Sequence, residues 1–197
     1  MKNGVGIYGG FNGTETMREQ RNWMLNVTTL SGDIGTVGVN SDNSYHVIFN
    51  NNNGLTNTAV LDGFTITGGN ANSGSTNGGG MYNSNTSPTV ANCIFEQNYA
   101  TFSGGAVYCT TSSTSSFTNC AFNSNTAPIG GAFTASGFGA NISVNFTDCS
   151  FDSNRGNNGG GAVDNGFSNT TGSSVLNFNN CKFTNNLCHN GSTIGTG

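Results

Sequence analysis

A seven-residue motif occurs four times in the second half of the chain and constrains the fold more than any other feature. The copies occupy residues 92–98, 119–125, 148–154 and 180–186, and each has the form (Asn/Asp)-Cys-x-Phe-x-x-Asn. The four cysteines are 27, 29 and 32 residues apart. Self-similarity at such a period is typical of a solenoid, in which each unit buries its apolar face only against its neighbours.

The motif defines three structural registers. Cys-x-Phe is strand alternation, so both side chains are expected on the same face of a strand. We interpret the cysteines as buried free thiols, because structural zinc ligands cluster as Cys-x2–4-Cys whereas these lie one coil apart. The asparagines are expected to turn inward and hydrogen-bond the corner backbone and one another; presenting their amides to a sugar is the alternative. The registers contain Cys93, Cys120, Cys149 and Cys181; Phe95, Phe122, Phe151 and Phe183; and Asn98, Asn125, Asn154 and Asn186.

The rest of each unit predicts short strands separated by tight corners. Gly-Gly-Ala blocks follow the motif, as at residues 104–106 and 130–132, and no helical period occurs inside the units. We therefore predict an all-β fold, a parallel β-helix of about seven coils with two or three strands per unit. Residues 1–197 form one domain in this interpretation, with irregular coils over 1–58 and regular repeats over 59–197.

Neither end of the chain carries an evident capping element. Because a solenoid must protect its terminal edges, we expect uncapped ends, a chain that is part of a longer polypeptide, and the potential for end-to-end self-association. The first residues also lack the apolar core and cleavage site of a signal peptide.

Charge and hydropathy exclude two classes of partner. Only 7% of the residues are charged, against about 25% in ordinary globular proteins, and the net charge is -4. Nucleic-acid binding needs a cationic surface, which five dispersed lysines and arginines do not supply. No apolar run approaches the roughly 20 residues of a membrane span. We predict no cofactor and no metal site.

Two cysteines lie outside the motif. Cys188 occupies a position of small residues, seven after Cys181, and is expected to pack inward. Cys109 fits none of the registers and is the cysteine most expected to react or to pair. The sequence leaves open whether either forms a disulfide.

Candidate catalytic residues are few. Asp148 and Asp152 flank one Cys-x-Phe strand and Arg155 follows, which makes this the best cluster of acids and a base. Glycoside hydrolysis needs two carboxylates at a defined separation, and a calcium-dependent lyase needs clustered acids with a base. We favour the simpler interpretation, in which these side chains are solvated. His46 and His189 lie far apart and show no paired nucleophile.

The motifs resemble those of known surface proteins. Cys-x-Phe-x-x-Asn followed by Gly-Gly-Ala is similar to the repeat of chlamydial polymorphic outer-membrane proteins. Segments 7–11, 30–34 and 60–69 resemble large secreted bacterial proteins with β-helix repeats. The resemblance implies a right-handed coil and an extracellular or outer-membrane setting.

Three functions follow as hypotheses. The first is a non-catalytic cell-surface module, a spacer or adhesin-like segment whose expected partner is a carbohydrate or a host surface. The alternative is a polysaccharide lyase or glycoside hydrolase of the pectin-lyase-like fold. The third, an ice-binding solenoid, needs an array of Thr-x-Thr rungs, and Thr65 with Thr67 is the only good rung.

Overall fold

The computed structural model describes residues 1–137, 140–166 and 172–189, and its regular structure is almost entirely short β-strands. The strands are β1 (Gly6–Tyr8), β2 (Thr29–Ser31), β3 (Ile48–Asn51), β4 (Val60–Asp62), β5 (Thr65–Thr67), β6 (Asn70–Ala71), β7 (Met81–Ser84), β8 (Thr89–Ala91), β9 (Ile94–Glu96), β10 (Tyr99–Ala100), β11 (Val107–Thr110), β12 (Ser116–Thr118), β13 (Ala121–Asn123), β14 (Thr126–Ala127), β15 (Phe133–Ser136), β16 (Ile142–Thr147), β17 (Ser150–Asp152), β18 (Arg155–Gly156), β19 (Val163–Gly166), β20 (Ser174–Asn179), β21 (Lys182–Thr184) and β22 (Leu187–Cys188). Single 3-10 turns cover Arg18–Gln20 and Asn40–Asp42.

The strands form four parallel sheets, which are the four faces of a solenoid. Face 1 contains β1, β4, β8, β12, β16 and β20; face 2 contains β2, β5, β9, β13, β17 and β21. Face 3 contains β6, β10, β14, β18 and β22; face 4 contains β3, β7, β11, β15 and β19. Each coil visits the faces in this order, so the predicted all-β parallel β-helix is confirmed.

Two details of the prediction are wrong. The structure has about five turns instead of seven, because two faces carry six strands and two carry five. Each complete coil also has four strands instead of two or three. Residues 1–58 contribute only the strands β1, β2 and β3, since segments 9–28 and 32–47 lie outside the regular coil.

Like positions of successive motifs pair in register. Phe122 pairs with Phe95 on one side and with Phe151 on the other. Their rings stack nearly parallel, with centroids 5.2 and 4.7 Å apart. A second stack, through Phe117 and Phe146, meets the first edge to face. Offset stacking and edge-to-face contacts are the favoured aromatic geometries, so these two ladders form a well-packed core.

The corners on both sides of face 2 use residues in the left-handed region. Between faces 1 and 2 the corner residue is glycine, asparagine or aspartate, with φ between 51° and 84°, as at Gly63 and Asn92. One left-handed residue lets the chain change direction between two strands, and glycine and asparagine adopt this conformation at least cost. The corner residues between faces 1 and 2 are Gly63, Asn92, Asn119, Asp148 and Asn180.

Segment 9–28 leaves the coil between β1 and β2 and is anchored back by one ion pair. Arg21 and Asp62 approach to 2.7 Å, with side chains that are only 11% and 14% exposed. Arg21 also donates to the carbonyl of Gly9 at 2.9 Å. This buried contact fixes the segment against β4.

Coil length varies mainly at one corner, between faces 4 and 1. The chain takes residues 107–116 to pass from the start of β11 to the start of β12. The equivalent passages in the next two coils span 133–145 and 163–177 and are progressively longer. In these three coils the other corners change by at most one residue, so the ladders remain in register.

Candidate functional site

Segment 32–47 takes the place of a face 3 strand in the first coil. The N–H of Gly32 donates to the carbonyl of Thr67, and the N–H of Asn70 donates to the carbonyl of Ser44, at 2.8 and 2.9 Å. Within the segment, the carboxylate of Asp33 accepts the N–H of Gly38. These bonds hold an irregular loop in a defined position beside β6.

The loop creates a cleft of about 450 Å³ against faces 2 and 3, which we call the loop cleft. Its walls come from the loop, from the corner after β5, and from β10 with its flanking residues. The lining residues are Asn40, Ser41, Asn43, Gly68, Gly69, Asn70, Asn72, Gln97, Tyr99 and Thr101.

The loop cleft is rich in neutral hydrogen-bonding groups. Amides and hydroxyls both donate and accept, which suits a ligand with many hydroxyls. None of the lining residues is a histidine, cysteine, aspartate or glutamate.

Tyr99 supplies the aromatic surface of the cleft. It is 41% exposed, and its backbone N–H donates to the carbonyl of Gly69 at 2.9 Å, which fixes its strand. The rings of Phe49, Tyr82 and Tyr108 on face 4 stack on one another. In the described part of the chain no aromatic ring stacks on Tyr99, and the residue remains partly exposed at the cleft.

Asn43 lies where the cleft meets a second depression. Its Nδ2 donates to the carbonyl of Gly68 at 2.8 Å. Its Oδ1 is buried and has no partner among the described residues. An unsatisfied buried acceptor costs about 1–3 kcal/mol, and this atom lies beneath the surface of the cleft.

The adjoining depression, of about 510 Å³, extends the cleft around the corner toward face 2. It shares Asn40, Asn43, Gly68 and Gln97 with the loop cleft. Asp33 is its only acid, and that carboxylate already binds the loop backbone. Across residues 1–137, 140–166 and 172–189, no three metal-ligating side chains cluster.

The motif asparagines lie inside the solenoid. Asn98, Asn125 and Asn154 are buried, and each donates from Nδ2 to a carbonyl of the preceding coil. Asn186 makes the same bond to Phe151 at the last described coil. Their amides therefore face the corner backbone and are not available to a sugar.

The motif cysteines form a column of thiols beneath the corner between faces 1 and 2. Each donates to a carbonyl of the preceding coil, as Cys93 does to Leu61 and Cys149 to Phe117. Burial raises the pKa of Cys93 to about 11 and also raises that of Cys120. Thiols that burial keeps neutral, such as that of Cys93, are weak nucleophiles and weak metal ligands. The hydrogen bond with Cys120 lowers the pKa of Cys149.

The prediction that Cys109 reacts or pairs is wrong, and the prediction that Cys188 packs inward needs correction. Cys109 lies on β11, in register with Asn83 and Ala135, and it is fully buried, which raises its pKa to about 11. Cys188 does occupy the register of Gly156, but it is exposed on β22. All six cysteines lie in the described residues and all are free thiols.

The acidic residues around the third motif hydrogen-bond to side chains other than Arg155. Asp148 accepts from Asn180 at the corner. Asp152 accepts from Thr184, Ser153 and Asn185, and the bond from Thr184 lowers its pKa. The described residues contain no ion pair between Asp152 and Arg155. Arg155 is exposed on β18 of face 3, whereas Asp152 lies on face 2.

The remaining candidates do not converge on a site. Thr65 and Thr67 on β5 pair with Ile94 and Glu96 in the next coil, so the rung is not continued there. His46 is half-buried and hydrogen-bonds Gly78 and Ser75, whereas His189 follows β22 at the other end of the described coils.

The sequence interpretation missed the loop cleft. Its residues come from a non-repeating loop and from positions that differ between copies, such as Gln97 and Tyr99. The available signal was the irregular, asparagine-rich stretch 40–43, which interrupts the strand pattern of the first coil.

Neither a membrane-spanning helix nor a similar known protein gives a further indication of function. No helix among the described residues is both long enough and apolar enough to cross a membrane. No protein-family model, curated protein or solved structure matches the chain.

Proposed function

We propose that this chain is a non-catalytic carbohydrate-binding module of an extracellular or cell-surface protein. In this proposal the solenoid is a rigid spacer, and the loop cleft holds the sugar. The repeat resemblance to chlamydial and other secreted bacterial β-helix proteins supports the cellular setting.

The observation that carries the proposal is the partly exposed Tyr99 beside a group of amides in the loop cleft. A sugar ring can pack its C–H surface on an aromatic side chain while its hydroxyls bond to neighbouring amides. Asn72, Gln97 and Thr101 line the cleft and offer both donors and acceptors. Because Tyr99 lies on a strand, its ring is already positioned before the ligand binds.

The lyase or hydrolase alternative has less support. Its candidate acids, Asp148 and Asp152, are hydrogen-bonded to Asn180 and Thr184 of the neighbouring coil. Asp148 lies at a corner and Asp152 on face 2, and neither of them lines the loop cleft. A module that binds without cleaving therefore fits the described residues better.

A glycan array followed by calorimetric titration tests the proposal. We expect the wild-type chain to bind a defined set of oligosaccharides, and Tyr99→Ala to weaken binding by roughly three- to tenfold through loss of aromatic contact. The matched control is Tyr45→Ala, which removes a tyrosine that is 46% exposed and belongs to the same loop without lining the cleft.

Two results would contradict the proposal. One is an array without binding above background. The other is an equal loss of affinity in Tyr99→Ala and Tyr45→Ala, which would place the ligand outside the loop cleft.

A further inference from the structure

The outward side chains of face 3 form a single column that begins in the loop cleft. Strand pairing aligns Asn70, Tyr99, Thr126 and Arg155 in successive coils. The alternate positions Ala71, Ala100 and Ala127 are fully buried. Since side chains alternate along a strand, the aligned residues point outward. The cleft therefore opens onto a column parallel to the solenoid axis.

The spacing of this column suits an extended polymer. Neighbouring parallel strands lie about 4.8 Å apart, so the backbones of Tyr99 and Arg155 are about 10 Å apart, with Thr126 between them. One rung is close to the length that a pyranose ring spans along an extended chain. A glycan that stacks one ring on Tyr99 and follows the axis would place a later ring over Arg155.

Arg155 is the charged residue of this column. It is exposed, and the two ion pairs among the described residues are Arg18–Glu19 and Arg21–Asp62. The carboxylate of Asp152, the nearest acid in sequence, lies on face 2 and is bound by Thr184 and Ser153. The guanidinium of Arg155 therefore has no anionic partner in the described part of the chain.

From this arrangement we propose that the loop cleft and face 3 bind one extended acidic glycan, with an anionic group of the sugar on Arg155. The inference rests on the proposed function and adds the charge, the direction and the minimum length of the ligand. A guanidinium fork matches the planar carboxylate of a uronic acid and also accepts the oxygens of a sulfate ester. The uncharged walls around Tyr99 hold the rest of the chain.

The test compares matched oligosaccharides on three proteins. The probes are a uronic acid hexasaccharide, its carboxyl-reduced form, the corresponding disaccharide and a sulfated hexasaccharide. The proteins are the wild type, Arg155→Gln and Lys182→Gln; the last removes an exposed cation from the adjacent face 2 as a control for net charge.

We expect the wild type to prefer the acidic hexasaccharide to its reduced form, and Arg155→Gln to remove a roughly two- to fivefold preference that Lys182→Gln retains. The disaccharide should depend less on Arg155 than the hexasaccharide does, because with one ring on Tyr99 its second ring reaches only the rung of Thr126. A preference for sulfated over uronic hexasaccharide would identify the sulfate as the bound anion.

Equal binding of acidic and reduced hexasaccharides by the wild type would overturn the inference. So would equal effects of Arg155→Gln and Lys182→Gln. In both cases, binding of the reduced hexasaccharide that depends on Tyr99 would leave the proposed function intact. If no saccharide binds, the proposed function fails and this inference fails with it.

Discussion

The Oδ1 atom of Asn125 accepts two hydrogen bonds from Asn98, one from its backbone N–H at 3.0 Å and one from its Nδ2 at 3.1 Å. Asn125 repeats the arrangement with Asn154 in the next coil. Each side chain also donates to a strand carbonyl of the preceding coil, as Asn125 does to Phe95. A chain of amides inside the corner therefore ties each coil to its two neighbours.

Replacing Asn125 with alanine should destabilise the solenoid strongly. The substitution removes the acceptor of the buried backbone N–H of Asn98, one of the two acceptors of its Nδ2, and the side-chain donor to the carbonyl of Phe95. We expect a cost of roughly 2–4 kcal/mol in the free energy of unfolding. Urea denaturation followed by circular dichroism measures the change.

Asn123→Ala is the matched control for this prediction. Asn123 points outward from β13, two residues before Asn125, and makes no side-chain hydrogen bond to the described residues. We expect little change in unfolding free energy. Equal losses in the two variants would contradict the role assigned to the buried amides.

The ion pair between Arg21 and Asp62 should be needed to hold segment 9–28. Arg21→Gln leaves the carboxylate of Asp62 largely buried without its cation, which costs roughly 2–4 kcal/mol. We expect a lower thermal midpoint and faster proteolysis within segment 9–28. Arg18→Gln, which removes an exposed pair with Glu19, should leave both measurements near wild type. Equal sensitivity of the two variants would refute this assignment.

Buried thiols should make the fold sensitive to alkali. Burial raises the pKa of Cys109 from 9.0 to about 11, so the unfolded chain loses this proton at a lower pH than the folded chain. Stability is then full below about pH 9 and falls as the pH rises toward 11, by up to about 1.4 kcal/mol per pH unit for each thiol.

Cys109→Ala should make this alkaline decline shallower. Alanine fits the site, because Ala135 occupies the same register in the next coil. Cys188→Ala, at an exposed position, should leave the slope unchanged. The measurement is the urea midpoint of each variant across this pH range, and identical slopes for all three proteins would disprove the prediction.

His46 should make the region around residues 75–78 sensitive to acid. Its Nδ1–H donates to the carbonyl of Gly78, so its Nε2 accepts from the hydroxyl of Ser75. Burial, partly under the rings of Phe49 and Tyr82, lowers its pKa. The stability that this neutral histidine provides is present above about pH 6.5 and is lost as the pH falls through the folded pKa.

His46→Gln should therefore reduce the fall in thermal midpoint between neutral and mildly acidic pH. Hydrogen exchange at the amides of residues 75–78 should quicken in acid for the wild type more than for the variant. A wild-type midpoint that does not change between these conditions would rule out the proposed titration.

The registers of the core could be predicted from sequence for a physical reason. Successive coils place like positions side by side, so selection for packing at Phe122 applies equally at Phe95 and Phe151. The period of the motif then gives the direction of stacking. A fourth strand per coil was harder to recognise, because face 3 strands such as β10 and β14 contain only two residues.

The position of Cys109 and the loop cleft could not be predicted, because they depend on contacts between unlike segments. Cys109 matched no cysteine in the other copies, yet its neighbours Asn83 and Ala135 share its inward position. The loop cleft joins residues 40–43 to Tyr99 through a loop whose path no repeat constrains. Residues 1–58 supply a single coil, with strands β1 to β3, because two long loops lengthen it, and this leaves fewer turns than predicted.

The corner between faces 4 and 1 varies in length, whereas the stacked positions inside the solenoid do not shift. Its chain lengthens from coil to coil while the amide, thiol and aromatic ladders stay aligned. An edge that absorbs insertions without disturbing the ladders is a natural position for grafted loops. New surface chemistry can therefore be added along this rim, at regular intervals, on a scaffold whose interior does not have to be redesigned.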